Sequence, residues 1–552
     1  MLVVLKFLIF FLYIFLLGRS LFLVTNNKKF LKEGDLLKVF NTPLFLFYPL
    51  FGFIIIGNVA FLLHFFIPIN NYLVIYITIV LILFNFKKIP NIQLSKLFSL
   101  LSLGTILYLP LSSYGIGLSY DAGLYHLNYQ SWLQSSKIVL GLSNFHMRFG
   151  YSSIFDYISV NFWMNNNFLF IHFLNLISIC FFILFILYNI LNKDNNLFLK
   201  SSSIGILIMG LLDNFGFNGG KNGFIEIEGV TKYDGVFAAF FYLTVLLAFL
   251  LLINDQASNF EINVLILFSV FTLQLRPTGV LVIFPVLIVI FKYKKIKEIL
   301  SDKIIILQVI LLAIWLFKNV LVSGCLLFPI EILCFDSLSW YSKNYALTET
   351  LNIRDSLRAY NYDMPLYDWF EYWTKKNSYN LSSLKNFVFA YVVTFIYKII
   401  FYKTKNTLYF KIGITYSVFI FVFWISTAPD LRFGIGFFIL MNGLIFIDVT
   451  GYRFSEKIQF HHNYLVIILF ALSTLLIPRI NSVTLAIYDP FENIKIEAPD
   501  NTLYVNKGIG FGVHANDLNE QCWINIDCAP PYSLPTKLDN LHGYKVFTFI
   551  NN

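Results

Sequence analysis

Charge is scarce in this chain. Only 13% of its 552 residues are Asp, Glu, Lys or Arg and 58% are hydrophobic, whereas an ordinary soluble domain carries about 25% charged residues, so a water-facing globule is excluded. Other absences narrow the field. No GxxxxGK[ST] pattern occurs, which removes a nucleotide-binding P-loop. The five cysteines include no CxxC, and no histidine pair with metal-ligand spacing sits beside them, which argues against a structural zinc site. The first apolar stretch, 2–24, lacks a small-residue cleavage site and reads as a span rather than an ordinary signal peptide. No clear repeat relates the two halves, although many transporters show one. The formal charge of +9 comes from lysines in short clusters between apolar runs, so it orients the chain in a bilayer and does not point to nucleic acid. The 63 Phe and 33 Tyr, with abundant Ile, Asn and Lys, match the codon bias of an AT-rich genome and carry little functional weight.

Long apolar runs are what the sequence has in abundance. Crossing ~30 Å of hydrocarbon takes about 20 helical residues. Candidate runs lie near 2–24, 43–66, 72–86, 95–110, 168–191, 201–213, 235–253, 262–275, 279–291, 304–322, 386–402, 411–427, 434–449 and 464–479. Those at 201–213 and 262–275 are short enough for half-helices or re-entrant segments. The expected fold is an all-α polytopic membrane protein of about 12–14 transmembrane helices, with external interfacial loops and a small disulfide-bearing external C-terminal segment. Basic connections fix the orientation: Lys28 to Lys38, Lys87 to Lys96, Lys292 to Lys297, Lys403 to Lys411 and Arg453 with Lys457 all fall on one side, which the positive-inside rule makes cytoplasmic. The opposite side receives 111–167, 214–234, 276–278, 323–385, 428–433 and 480–552, and both termini lie outside. The chain divides into N-terminal membrane helices (1–110), a membrane domain with large external loops (111–479) and the external segment 480–552.

Cys180 falls inside an apolar run, but Cys325 with Cys334 and Cys522 with Cys528 form two close pairs on the side assigned as external. Disulfides persist only in an oxidising compartment, so two bridges are the natural expectation, although spacing alone does not fix pairing.

Ionisable residues gather on that same side. Tyr120-Asp121-Ala122-Gly123-Leu124-Tyr125-His126-Leu127 is followed by Gly141-Leu142-Ser143-Asn144-Phe145-His146-Met147-Arg148, which together place a carboxylate, two imidazoles and a guanidinium in the first long external loop. Such clusters at a membrane surface mark substrate paths or reaction centres, while the plainer reading makes Asp121 the cap of a short interfacial helix. A glycine-rich stretch carries Lys221, Glu226, Glu228, Lys232 and Asp234, the last two of which equally suit an interfacial ion pair. Arg276-Pro277-Thr278-Gly279 makes a tight turn, and Ala428-Pro429-Asp430-Leu431-Arg432-Phe433 joins two later runs. Arginines at one depth offer forked donors to a lipid phosphate, the alternative being interfacial snorkelling. Lys318 and Asn319 end another span at this surface, and Arg354, Asp355, Arg358, Tyr367, Trp369 and Trp373 suit a lid or an interfacial helix.

These motifs resemble the GT-C class of integral membrane glycosyltransferases, and more closely a poorly characterised family of bacterial polytopic membrane proteins grouped with it. The resemblance runs from about residue 100 into the tail. It implies a bacterial inner-membrane enzyme whose site faces the periplasm or exterior and which moves sugar from a polyprenyl-phosphate donor to a glycan, lipid or protein acceptor. The matching acid is Asp121, with His126 and His146 as catalytic helpers. Arg148, Arg276, Arg432 and Lys232 are the candidate donor-phosphate ligands, with Asp234 and Asp430 as further site residues. A single acid stands where many class members carry an Asp-x-Asp or Glu-x-Asp pair, so a divalent metal is possible but has no acidic pair to support it. The alternatives are a transporter or flippase of lipid-linked oligosaccharide and a surface-polysaccharide polymerase or ligase.

Overall fold

The computed structural model describes residues 2–24, 37–69, 71–84, 95–112, 116–163, 167–215, 229–294, 296–357, 365–376, 378–427, 429–470, 480–488, 497, 504–505, 513–515, 521–529 and 536–549. Each apolar run carries a helix within its described residues; 471–479 of the last run lie outside them. In chain order these are α1 (Leu2–Val24), α2 (Tyr48–Leu63), α3 (Asn71–Phe84), α4 (Lys96–Ser112), α5 (Leu169–Leu191), α6 (Leu197–Phe215), α7 (Asp234–Ile253), α8 (Asn259–Leu275), α9 (Ile283–Tyr293), α10 (Lys303–Ser323), α11 (Ser378–Phe401), α12 (Leu408–Thr427), α13 (Leu431–Leu444) and α14 (Glu456–Phe470). Among the described residues, seven helical stretches are long and apolar enough to cross a membrane, and six shorter apolar helices have 10–17 residues. The chain is thus a helical membrane protein with little sheet. The two doubtful runs are continuous helices of 19 and 17 residues.

Local chemistry sets the helix starts. Ser258 and Glu261 form a reciprocal capping box at α8, and the second carboxylate oxygen of Glu261 accepts the Phe40 N–H at 2.9 Å, tying the N-terminal helices to α8. Asp302 caps α10. Packing between spans relies on small residues, because lipid tails supply no hydrophobic force between helices. At the crossing of α1 and α2, a Cβ on Gly18 would stand 1.8 Å from the Tyr48 carbonyl oxygen, and one on Gly52 would stand 2.4 Å from that of Ile14. Gly436 of α13 likewise lies against Ala238 of α7. On α10 the apolar side chains Ile304, Leu307, Ile310 and Phe317 are exposed, as a lipid-facing surface requires.

The two ends of the bundle differ in charge chemistry. Where α7 ends, the Lys292 ammonium donates to the Leu252 and Asn254 carbonyls, each at 2.7 Å. Lys294 pairs with Asp302 at 2.6 Å and Lys398 with buried Asp448 at 2.6 Å. The opposite ends of α7, α8, α10 and α13 carry Asp234, Arg276, Lys318 and Arg432. Segment 116–163 covers that end as short helical turns and the helix Leu127–Ser135. A hairpin of Thr536–Leu541 and Tyr544–Phe549 docks on it through Leu140, which donates to Lys545 O and accepts from Phe547 N, both at 2.9 Å.

Candidate functional site

The turn bearing Asp121 is a π-helical turn, Ala122–His126, closed by the Leu127 N–H on the Ala122 carbonyl. Such turns widen a helix by one residue and often sit at functional sites. Its N-terminal cap is Ser119, whose hydroxyl accepts the Ala122 N–H at 3.1 Å. Asp121 makes no cap bond. Its carboxylate instead meets the Arg432 guanidinium, Oδ2 to Nη1 at 3.1 Å, across 311 positions of sequence. Capping therefore does not explain this acid.

Arg432 stands in the first turn of α13 because Asp430 caps that helix, accepting the Arg432 N–H at 3.0 Å. The Asp430 carboxylate also lies 3.6 Å from Arg432 Nε, so one guanidinium spans two acids, and its carbon sits 4.7 Å from the centre of the Phe433 ring. A second guanidinium shares Phe433: Arg276 lies 4.8 Å from that ring's centre, with Phe237 at 5.0 Å and Tyr233 at 5.5 Å. Arg276 Nη2 donates to Asp234, the first residue of α7. Burial is the strongest influence and opposes the Arg276 charge, but the Asp234 carboxylate, its hydrogen bond and Tyr233 together outweigh it, raising the guanidinium above its ordinary value. Asp234 is thus partnered by Arg276 rather than by Lys232. Lys232 makes no ion pair among the described residues, and its carbonyl accepts from Asn175 Nδ2 at 2.7 Å. Lys221, Glu226 and Glu228 lie outside the described residues.

Arg148 approaches from the other side. Its guanidinium carbon is 5.7 Å from the centre of the Tyr125 ring, and Nε is 4.0 Å from Glu349, a buried acid on the helix Lys343–Leu357. Tyr125 sits amid the cluster: burial pushes its hydroxyl well above the ordinary range, Asp121 adds to this, and Arg148 and Arg432 oppose it. The helix Leu366–Lys376 reaches the same neighbourhood. Trp373 packs 6.2 Å from Trp424, whose indole N–H donates to the Asp430 carbonyl at 2.9 Å.

The two histidines divide. His126 Nδ1 donates to the buried carboxylate of Asp156 at 3.2 Å, and its ring is flanked by Tyr125 at 4.2 Å and Tyr233 at 5.6 Å. Asp156 is fixed in turn by Gln130 Nε2 at 3.1 Å and the Ser153 N–H at 3.3 Å. This holds the imidazole in one orientation, as in an Asp–His pair. His146 is placed differently. It is fully buried, Nε2 donating to the Leu124 carbonyl at 3.1 Å and Nδ1 accepting the Arg148 N–H at 3.3 Å, and burial lowers its pKa to about 3. With both ring nitrogens on backbone groups, His146 holds the shape of the loop beside Leu124 and Arg148. Lys318 is also fully buried: its ammonium donates to Ser152 Oγ at 2.6 Å and lies 3.7 Å from the centre of the Trp315 ring.

Both expected disulfides are present, Cys325–Cys334 and Cys522–Cys528, and Cys180 is a buried free thiol. Among the described residues no three His, Cys, Asp or Glu side chains converge as a metal-binding group. Asp121, Asp234 and Asp430 converge on arginines. Sequence reasoning missed Asp156 and Glu349. Asp156 sits in Ser153-Ile154-Phe155-Asp156, a helix-capping pattern that flags structure rather than chemistry, and Glu349 has no local signal at all.

Residues 1–439 match the family described as Domain of unknown function (DUF8201). The chain belongs to this DUF8201 family. No curated protein and no solved structure matches it. The DUF8201 region contains every arginine and aspartate of the cluster, while the disulfide loop at 522–528 lies beyond it.

Proposed function

We infer that this DUF8201 protein is a GT-C-like glycosyltransferase of a bacterial inner membrane that moves a sugar from a polyprenyl-phosphate donor to a cell-envelope acceptor on the non-cytoplasmic face. The observation that carries the reading is the Asp121–Arg432 contact at 3.1 Å, beside the Arg276–Asp234 pair. Four distant parts of the sequence supply a partly exposed acid and forked cation donors at one end of a helical bundle. Two disulfides on the loops and tail at that end support an oxidising compartment, and the lysine-rich opposite ends support the inward side. The reading of twelve to fourteen spans adds, to the seven helices long and apolar enough to cross a membrane, the six shorter apolar ones and α14.

The acceptor hydroxyl oxygen attacks the anomeric carbon, the bond from that carbon to the phosphate oxygen breaks, and the phosphate departs with the electron pair. Asp121 takes the hydroxyl proton as general base, a role worth about 10²–10⁴-fold. Arg432 and Lys232 meet the charge that grows on the phosphate, where fixed donors act most strongly, while Arg276 is held by Asp234. Arg148 flanks the acid through Tyr125. His126, oriented by Asp156, is the nearest second proton acceptor on the same turn.

The test is transfer in reconstituted membranes containing polyprenyl-phosphate sugars, with wild type, Asp121→Asn and Arg432→Ala compared. Loss of transfer in both variants with intact membrane insertion supports the reading. Equal transfer in all three removes Asp121 as base. Movement of intact lipid-linked glycan without a new bond would make the protein a flippase, and growth of a lipid-linked chain a polymerase.

A further inference from the structure

The tail beyond the DUF8201 match reaches back to the acid-bearing turn. The N–H groups of Cys522 and Trp523 both donate to the Gly123 carbonyl, at 2.8 and 2.9 Å. Gln521 Nε2 donates to the Tyr120 carbonyl at 3.1 Å, and Asn128 Nδ2 donates to the Asn525 carbonyl. The Trp523 indole lies flat enough on Gly123 that a Cβ there would stand 2.8 Å from the ring. Trp523 itself has φ +50°, a left-handed conformation that a non-glycine residue holds only where surroundings impose it. Closure of the six-residue interval by the Cys522–Cys528 bridge, both sulfurs buried, supplies that constraint. Tyr120, Gly123 and Asn128 bracket Asp121 and His126, so each of these four bonds falls within one turn of one group or the other, and the two to Gly123 within one turn of both.

We propose that the disulfide-closed loop 521–528 is the positioning element of the site, with Trp523 and Gln521 as positioning residues that hold the π-helical turn so that Asp121 faces Arg432. The site is then assembled by two parts of the chain, the DUF8201 region and an oxidised tail. Reduction of this one bridge lets the loop relax, removes the two donors from the Gly123 carbonyl and frees the turn. Cys325–Cys334, which braces the loop through Phe328 against Gly150 and Tyr151, does not touch the turn. The word site rests on the transferase reading, but the docking does not.

The experiment is backbone hydrogen exchange on the full-length protein in nanodiscs. Peptides covering 119–128 are followed in wild type, Cys522→Ser/Cys528→Ser, Trp523→Ala, Trp523→Phe and, as control, Cys325→Ser/Cys334→Ser. Exchange in 119–128 should rise at least about tenfold in the first double variant and in Trp523→Ala, be restored by Trp523→Phe, and stay unchanged in the control, with 234–253 protected throughout. Unchanged exchange in 119–128 without the Cys522–Cys528 bridge overturns the proposal, as does an equal rise over all peptides, which would mark global unfolding. In the transfer assay, Trp523→Ala should lower kcat while KM for the lipid donor stays within about twofold, because the arginines sit on other elements. Absence of any transfer by wild type would defeat the transferase reading and leave the exchange result to decide positioning.

Discussion

Two arginine–carboxylate pairs at the site differ in burial, and a double-mutant cycle on each separates holding the fold from meeting a ligand. The Arg276 and Asp234 side chains are only 15% and 6% exposed, and three rings enclose the guanidinium. Arg276→Ala strands a buried carboxylate, which costs about 3–5 kcal/mol, and Asp234→Ala strands a buried cation at similar cost. Removing both leaves nothing uncompensated, so the coupling energy should be at least about 2 kcal/mol. Arg432 and Asp121 are 36% and 15% exposed, so water screens them, and the coupling should fall near 0.2–1 kcal/mol. Function should rank them otherwise: Arg432→Ala loses about 10²–10³ in transfer rate through lost stabilisation of the departing phosphate, with little loss of stability. The assay is reversible unfolding in mixed micelles for both cycles, run beside donor turnover. A coupling below about 0.5 kcal/mol for Arg276 with Asp234 would refute the claim that this pair is a buried structural unit.

Acid sensitivity provides a second check. His146 is neutral in the fold with a pKa lowered to about 3, so the unfolded chain binds the extra proton; its contribution is fully present above about pH 6.5 and is lost as pH falls toward 3, at roughly 1.4 kcal/mol per pH unit. His146→Gln should therefore flatten the fall in thermal stability between pH 6.5 and 5 relative to wild type, as scanning fluorimetry would report. Gly18→Leu should prevent α1 from seating on α2 and abolish monodisperse protein in size-exclusion chromatography, because even a Cβ overlaps the Tyr48 carbonyl. Asp156→Ala removes the shared acceptor of His126, Gln130 and the Ser153 N–H and should cost about 3–5 kcal/mol, whereas Asp156→Asn keeps an acceptor oxygen and should cost less than half as much in the same unfolding assay.

The sequence was most legible where one physical demand dominates. Backbone polar groups in hydrocarbon must be satisfied within helices, so apolar runs located most helices to within a few residues, including the short ones at Leu197–Phe215 and Asn259–Leu275, whereas Ser378–Phe401 and Glu456–Phe470 begin eight residues before the runs at 386 and 464. Charged residues that break an apolar chain stood out for the same reason, and Asp121, Asp234, Arg276, Asp430 and Arg432 do meet. Pairing was less legible. Lys232 and Asp234 are neighbours in sequence, yet Asp234 takes Arg276, because the turn at Pro277–Val282 brings that guanidinium across the mouth of α7. His126 and His146 were indistinguishable as letters; only the carboxylate beside one and the backbone partners of the other separate them. Glu349 could not be found, since its partner lies 201 positions away on an element with no chemical signature of its own.

The double engagement of Arg432 suggests how binding and proton transfer are linked. In the resting site the Asp121 carboxylate is engaged by the Arg432 guanidinium. A donor phosphate entering beside Arg432 competes for the same N–H groups. If it draws the guanidinium away, the Asp121 oxygen is freed to accept a hydrogen bond from an acceptor hydroxyl. The acid must then work against donor binding, which gives the linkage a sign. Removing the Asp121 charge releases Arg432 for the phosphate, and one charge-assisted hydrogen bond is worth about 1.5 kcal/mol or more, close to tenfold in affinity. Asp121→Asn should therefore bind a non-transferable polyprenyl phosphate roughly tenfold more tightly than wild type while losing turnover, and Asp121→Asn/Arg432→Ala should lose that gain. Equilibrium binding in nanodiscs measures both. Weaker or unchanged binding by Asp121→Asn would mean that the phosphate does not compete for Arg432, and that this contact orders the loop and plays no part in coupling donor binding to the base.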